Sequence, residues 1–421
     1  MSKLETKCLH AGYESVEGTT KSHAVPLYRT AAYRFDSTEH AANLFTLKEL
    51  GNIYTRLMNP TNDVLEQRVA AMEGGAAALA LSSGTSAVFY SIINLAKSGD
   101  EIVSANNLYG GTYTQFNDIL PGMGIKVNFV DPTDPKNFEA AINEKTKAVF
   151  CETIGNPALG LTDIQGIADV AHAHGLPLIV DSTFTTPALL RPLEHGADIV
   201  VHSLTKWMGG HGTGIGGIVV DSGKFDWTTG KHPLLSDPEP SYWNVSFAND
   251  LGDLAPLAYI LRMRLIPLRN LGACIAPDNA WMALQGIETL PLRMERHSEN
   301  GLAVAEHLKT SDKVEWVKYA GYDKKASKYL PNGAGGMVVF EIKGGEEAGR
   351  TFIEALELFS HLANVGDARS LAIHPASTTH SQLNEEQQAG GGITPGLIRL
   401  SVGIENIDDI LADIDQALAQ S

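Results

Sequence analysis

Between residues 77 and 220 the chain alternates short, continuous apolar runs with longer stretches in which apolar residues recur at helical spacing. The runs 77–81, 101–104, 126–130, 148–152, 178–181, 199–202 and 215–220 are too short for helices and are bounded by turn-forming residues, so they read as strands. Most are apolar throughout rather than at every second position, which predicts strands covered on both faces. Helices are predicted over 86–96, 135–144 and 163–174, the last with Thr162 as its N-cap. This alternation gives the fold class: α/β, with a mostly parallel central sheet.

The flanks follow other patterns. Residues 1–61 are rich in turns and aromatic side chains and end in Asn59-Pro60-Thr61; they are too irregular to enclose a core and read as an N-terminal arm that wraps a neighbouring subunit. Residues 62–285 hold the α/β pattern, and 286–421 read as a smaller C-terminal α+β domain. A long helical stretch runs through Trp281, Leu284 and Leu292 towards His307 and is followed by a strand-like run at 336–342. Gly390-Gly391-Gly392 suits a flexible loop beside a site. The stretch 224–253, with Trp227, Lys231 and Pro240-Ser241-Tyr242-Trp243, is open between a lid, an oligomer contact and a structural insertion.

Composition narrows the function classes. A net charge of -17 with no run of Lys and Arg disfavours nucleic acid and anionic membranes. No window reaches the roughly 18 apolar residues of a membrane span, and no secretory leader is evident, so a cytoplasmic location is expected. Cys8, Cys151 and Cys274 are too scattered for a disulfide framework or a metal site. His374 and His380 lack a nearby third ligand, His172 and His174 read as exposed helix positions, and no metal is expected.

One segment concentrates chemistry. Asp181 closes the apolar run 178–180, which places its carboxylate at the C-terminal end of a strand, where open α/β sheets bind ligands. Lys206 follows a second apolar run and sits between the hydroxyls of Ser203 and Thr205 and the glycines 209, 210 and 212. Hydroxyls of this kind can hold a phosphate, glycines admit a ligand close to backbone, and a desolvated lysine is a nucleophile and a base. A carboxylate, a lysine and a phosphate cradle are what pyridoxal phosphate requires. Taken singly, each has a plainer reading: a turn aspartate, a surface lysine, a close-packed loop.

The run Asp198-Ile199-Val200-Val201-His202-Ser203-Leu204-Thr205-Lys206-Trp207-Met208-Gly209-Gly210-His211-Gly212 closely resembles the cofactor-attachment signature of the Cys/Met metabolism pyridoxal-phosphate enzymes. The resemblance spans nearly the whole chain and is strongest to the branch that acts on O-acetylhomoserine with sulfide. It implies the fold type I (aspartate aminotransferase-like) architecture and pyridoxal 5'-phosphate bound as a Schiff base to Lys206. Asp181 then faces the pyridine nitrogen, Ser82-Ser83-Gly84-Thr85 turns the amides of Gly84 and Thr85 to the phosphate, and Ser203 and Thr205 add hydroxyls. Tyr109, in Tyr109-Gly110-Gly111, stacks on the ring and joins Lys206 in catalysis. Asn156 bonds the phenolic oxygen, Arg399 binds the substrate α-carboxylate, and Tyr54 and Arg56 reach the phosphate of the neighbouring subunit.

The implied reaction is γ-replacement: O-acetyl-L-homoserine plus sulfide gives L-homocysteine plus acetate, in methionine biosynthesis. The implied partners are an O-acylhomoserine, a sulfur donor and further copies of the chain, as a homotetramer built from two catalytic dimers. Gly111, where methionine γ-lyases carry cysteine, the stretch 224–253 and the pattern from Asn364 to Leu383 favour the sulfhydrylase branch over cystathionine γ-synthase or γ-lyase. A catalytically idle interaction protein on the same fold is the alternative from another class. Joint presence of Lys206, Asp181, Tyr109 and Arg399 speaks against it. A dinucleotide-binding dehydrogenase is disfavoured because the glycines at 209–217 do not open a first βαβ unit.

Overall fold

The computed structural model describes residues 2–13, 21–46, 48–155, 159–378 and 394–421. Seven strands, β1 (Ala77–Leu81), β2 (Glu101–Ala105), β3 (Lys126–Val130), β4 (Thr146–Glu152), β5 (Leu178–Asp181), β6 (Ile199–Ser203) and β7 (Gly217–Asp221), form one sheet in the order β1-β7-β6-β5-β4-β2-β3. Strands β2 to β6 pair in parallel, while β7 runs antiparallel to both of its neighbours, β1 and β6. Leu79, Leu81, Val103, Phe150, Ile179, Val200 and Val219 are fully buried. Each contributes about 1.5–3 kcal/mol of hydrophobic stabilisation, which is why these runs carry no polar alternation.

All seven runs expected as strands are strands. The helix predicted over 163–174 spans Ile164–Ala173, but its N-cap is Asp163. Thr162 is still part of the approach to the helix, and its hydroxyl donates instead to the carbonyl of Glu152 at 2.6 Å. His172 on that helix is exposed as expected yet engaged, with Nε2 2.8 Å from Asp198 Oδ2.

A second sheet lies in the C-terminal part: β8 (Val314–Tyr319), β9 (Met337–Ile342), β10 (Ser360–His361), β11 (Leu371–Ile373) and β12 (Leu397–Ser401), in the order β10-β11-β12-β9-β8. The long helical stretch before it is two helices, Pro277–Glu288 and Leu290–Lys309, separated at Thr289. Each carries a proline in its first turn, where no backbone N–H is needed. Within 224–253, Trp227 stacks on Tyr259 with centroids 5.4 Å apart, and Leu235 and Phe247 are fully buried, so much of this stretch packs as structure. Trp243 at its tip is exposed and has φ of 48°. Among the described residues, no helix is long and apolar enough to cross a membrane.

Candidate active site

Three parallel strands end side by side. Glu152, the last residue of β4, is the Cα partner of Asp181, the last residue of β5, and Asp181 is in turn the partner of Val201 in β6. Asp181 Oδ1 accepts the N–H of Thr183 at 2.9 Å, and the hydroxyl of Thr183 accepts the N–H of Ser203 at 2.9 Å. One threonine therefore ties the carboxylate to the strand end that leads into Lys206. Desolvation pushes the Asp181 carboxyl above its ordinary range, opposed by the bonds from Thr183 and by the nearby His202. Among the described residues no cation pairs with Asp181.

Lys206 lies in the turn between β6 and β7. Its Nζ donates to Asn364 Oδ1 at 2.6 Å. Burial, then the charge of Arg399, lowers its pKa to about 8. Arg399 stands on β12, 9% exposed, and burial lowers its own pKa to about 10 while Tyr109 opposes that shift. Arg399 is thus within electrostatic reach of both Lys206 and Tyr109, although the three come from widely separated parts of the chain.

The lysine turn is held from behind. Arg293 donates to the carbonyls of Trp207 at 2.7 Å, Met208 at 3.2 Å and Gly286 at 2.6 Å. The N–H of Ala368 donates to Gly210 O at 2.8 Å, which fastens the segment that follows Asn364 to the same turn. The fully buried Trp207 ring meets Phe184 edge-on at 5.2 Å.

An anion cradle sits beside it. The helix Gly84–Ile93 opens after β1, and the Ser83 hydroxyl accepts the N–H of Ser86 at 3.0 Å. A helix leaves its first N–H groups without internal partners, so those of Gly84 and Thr85 are available to an anion. A Cβ on Gly84 would lie 2.6 Å from Cβ of Ser203, and one on Gly217 would lie 2.1 Å from the carbonyl oxygen of Ser83. Glycine at both positions lets cradle, lysine strand and β7 close on one another. The Thr205 hydroxyl is engaged with Gly216, accepting its N–H at 3.1 Å.

Tyr109 precedes the short helix Gly110–Thr114 and is 52% exposed, with its N–H donating to Glu152 Oε1 at 2.7 Å. A Cβ on Gly111 would come within 2.6 Å of Cε1 in the Tyr109 ring, so any side chain at position 111 displaces that ring. Tyr54 and Arg56 stand apart from these groups. Both are exposed, and the Arg56 guanidinium lies 5.0 Å from the centre of the Tyr54 ring. Among the described residues, neither bonds to a site group of its own chain. Asn156, His380 and Gly390 to Gly392 lie outside the described residues. His374 is structural: Nδ1 meets the Ser377 hydroxyl at 2.8 Å and Nε2 the carbonyl of Pro395 at 2.6 Å.

Three residues of this site had no role in the sequence reading: Thr183, Asn364 and Glu152. Thr183 carries a faint signal, since an Asp-x-Thr after a strand is a turn pattern. Asn364 and Glu152 carry none, because each acts on a residue that only the folded topology brings near.

The chain resembles known proteins over its whole length. The family model for Cys/Met metabolism PLP-dependent enzymes matches residues 5–419. An O-acetyl-L-homoserine sulfhydrylase from Leptospira meyeri is 56% identical over 99% of this chain and 96% of its own. One from Thermus thermophilus is 51% identical over 99% of this chain and all of its own. A crystal structure from Campylobacter jejuni, provisionally named O-acetylhomoserine (thiol)-lyase and carrying a pyridoxyl-lysine monophosphate, superposes with a TM-score of 0.95 at 41% identity, covering 99% of this chain.

Proposed function

The chain belongs to the Cys/Met metabolism PLP-dependent enzymes, and from that membership we propose that it makes L-homocysteine and acetate from O-acetyl-L-homoserine and sulfide. The observation that carries this reading is the convergence of a buried amine of lowered pKa, a buried guanidinium and a carboxylate that has no cation partner among the described residues, beside a helix N-terminus. Sulfhydrylases that match the chain from end to end support the choice of reaction.

The residues suit pyridoxal phosphate. Gly84 and Thr85 supply amides, and Ser203 and Thr205 hydroxyls, for the phosphate dianion. Asp181, which has no cation partner among the described residues, would face the pyridine nitrogen and favour its protonated form. Tyr109 would cover the ring, Lys206 would be the attachment point, and Asn156 is assigned to the phenolic oxygen. When bound, the cofactor supplies an electron sink that makes the protons next to the substrate nitrogen acidic.

The chain's own groups do the rest. Arg399 binds the α-carboxylate of the amino-acid substrate and fixes the direction of its Cα–H bond. Lys206, once free, takes that proton and returns protons later; a pKa of about 8 leaves an appreciable neutral fraction near neutral pH. Asn364 aims the amine through its Oδ1. Tyr109 is near enough to Arg399 to act on that guanidinium, and its hydroxyl serves as a second proton carrier.

Tyr54 and Arg56, exposed and unbonded to their own chain's site among the described residues, serve the phosphate of a neighbouring copy. The working unit is therefore a shared-site dimer, two of which form a homotetramer, acting in the cytoplasm. Product analysis tests the reaction. Holoenzyme given O-acetyl-L-homoserine should form homocysteine only when sulfide is present. 2-Oxobutyrate and ammonia with or without sulfide would instead identify a γ-lyase.

A further inference from the structure

Glu152 is a buried carboxyl that the reaction above does not use. It closes β4 in register with Asp181 at the end of β5, and neighbouring strands run about 4.8 Å apart, so two acids share one edge of the sheet. In a low-dielectric setting two such carboxyls do not both ionise. Their surroundings differ. Asp181 accepts the N–H of Thr183 and lies in the field of His202, both of which favour its anion. Glu152 accepts one backbone N–H, that of Tyr109, and burial and then the charge of Asp181 push its carboxyl well above the ordinary carboxylate range.

The bond to Tyr109 has a mechanical consequence. Tyr109 has no side-chain cap for the helix it precedes, and its carbonyl already accepts the N–H of Tyr113 at 2.9 Å. Among the described residues its N–H is fixed by Glu152 Oε1 alone, at 2.7 Å, and its ring rests over the Cβ-free Gly111. The ring's position is thus set from the strand edge below and by the space above residue 111.

We propose that Glu152 is a positioning residue: through that backbone bond it sets the Tyr109 ring over the cofactor, and it leaves to Asp181 the one negative charge that the pair can hold. This rests on the reading of the site as a pyridoxal-phosphate site. A neutral carboxyl uses its carbonyl oxygen to accept the Tyr109 N–H, and a glutamine amide has the same oxygen in the same place.

The test compares Glu152→Gln, Glu152→Leu and Glu152→Asp as holoenzymes. It reads the visible-region circular dichroism of the bound cofactor, the cofactor dissociation constant, and kcat and KM for O-acetyl-L-homoserine. Glu152→Gln should keep the dichroism and a kcat within about threefold of wild type. Glu152→Leu loses the acceptor and Glu152→Asp falls short of it, so both should weaken the dichroism and lower kcat about tenfold, with KM less affected. If Glu152→Leu does not fold, Glu152→Asp carries the comparison. Equal impairment of all three variants would mean that an acceptor oxygen at this position is not what matters, because the isosteric amide fails with the others, and three wild-type-like variants would mean that nothing is positioned; either result overturns the proposal. Wild type that binds cofactor but makes no homocysteine would end the reaction assignment and leave the dichroism comparison standing.

Discussion

The amine of Lys206 and the side-chain amide of Asn364, 158 positions apart, meet at 2.6 Å. An amide oxygen is an acceptor without charge. It orients the lysine and favours its ammonium mildly, whereas a carboxylate in the same place would raise the pKa and cost the amine its use as a base.

Asn364→Ala should therefore lower kcat about tenfold, the worth of one hydrogen bond to a charged group. Without its acceptor the ammonium is less stabilised, so the acid limb of the kcat–pH profile should move to lower pH. An unchanged rate and profile would remove Asn364 from the lysine's environment.

Arg399→Ala should act mainly on substrate capture. Loss of a charge-assisted bond to a carboxylate costs about 1.5–3 kcal/mol, so KM for O-acetyl-L-homoserine should rise by roughly 10- to 100-fold. Steady-state kinetics at saturating sulfide reads this directly. An unaltered KM would count against the carboxylate assignment.

Lys206→Ala alone should abolish turnover and the borohydride-trapped cofactor–lysine adduct, and Arg56→Ala alone should loosen cofactor retention. Unfolded together and reassembled, the two variants form mixed dimers in which one site has both native residues. Random pairing then restores about one quarter of the wild-type number of complete sites. Failure of mixed dimers, shown to have formed, to gain activity over either parent would exclude a site shared between subunits.

Asp221 gives a prediction for stability. It is fully buried at the end of β7; Oδ1 accepts the N–H of Gly223 at 2.9 Å, Oδ2 has no partner among the described residues, and burial raises its pKa to about 7. A folded pKa above the unfolded one means that this group's contribution is whole below about pH 4 and is lost as pH rises through about 7. Asp221→Asn has no such loss. Relative to wild type its Tm should rise with pH, and by about pH 8 the gain should be on the order of 1–3 kcal/mol after the cost of one buried amide N–H. A pH-independent difference would show that Asp221 does not titrate in this range.

The strands were legible because burial on both faces leaves an unbroken apolar run, and Lys206 because hydroxyls and glycines flank it on both sides. The reversal of β7 was not, since Gly217 to Asp221 is as apolar as its parallel neighbours and direction leaves no mark in composition. Thr162 and Asp163 are both good caps, and the choice between them depends on the carbonyl of Glu152, which recruits the threonine. Asn364 and Glu152 stayed hidden because each acts through register or through a contact distant in sequence, and Thr183 showed only the turn beside Asp181, not its bond to Ser203 on the next strand. Tyr54 and Arg56 were legible only by resemblance, and among the described residues the single chain gives them nothing of its own site to hold.

The placement of β7 also bears on how the protein becomes an enzyme. β6, the lysine turn and β7 can form locally, but the cradle after β1 meets that turn only when β1 pairs with β7 across a large separation in the chain. Pairings of such high contact order are formed slowly. Capture of the cofactor therefore waits for the sheet to close, and in a refolding experiment the colour of bound cofactor should emerge after helix content has recovered, as a maturation signal built into the order of assembly.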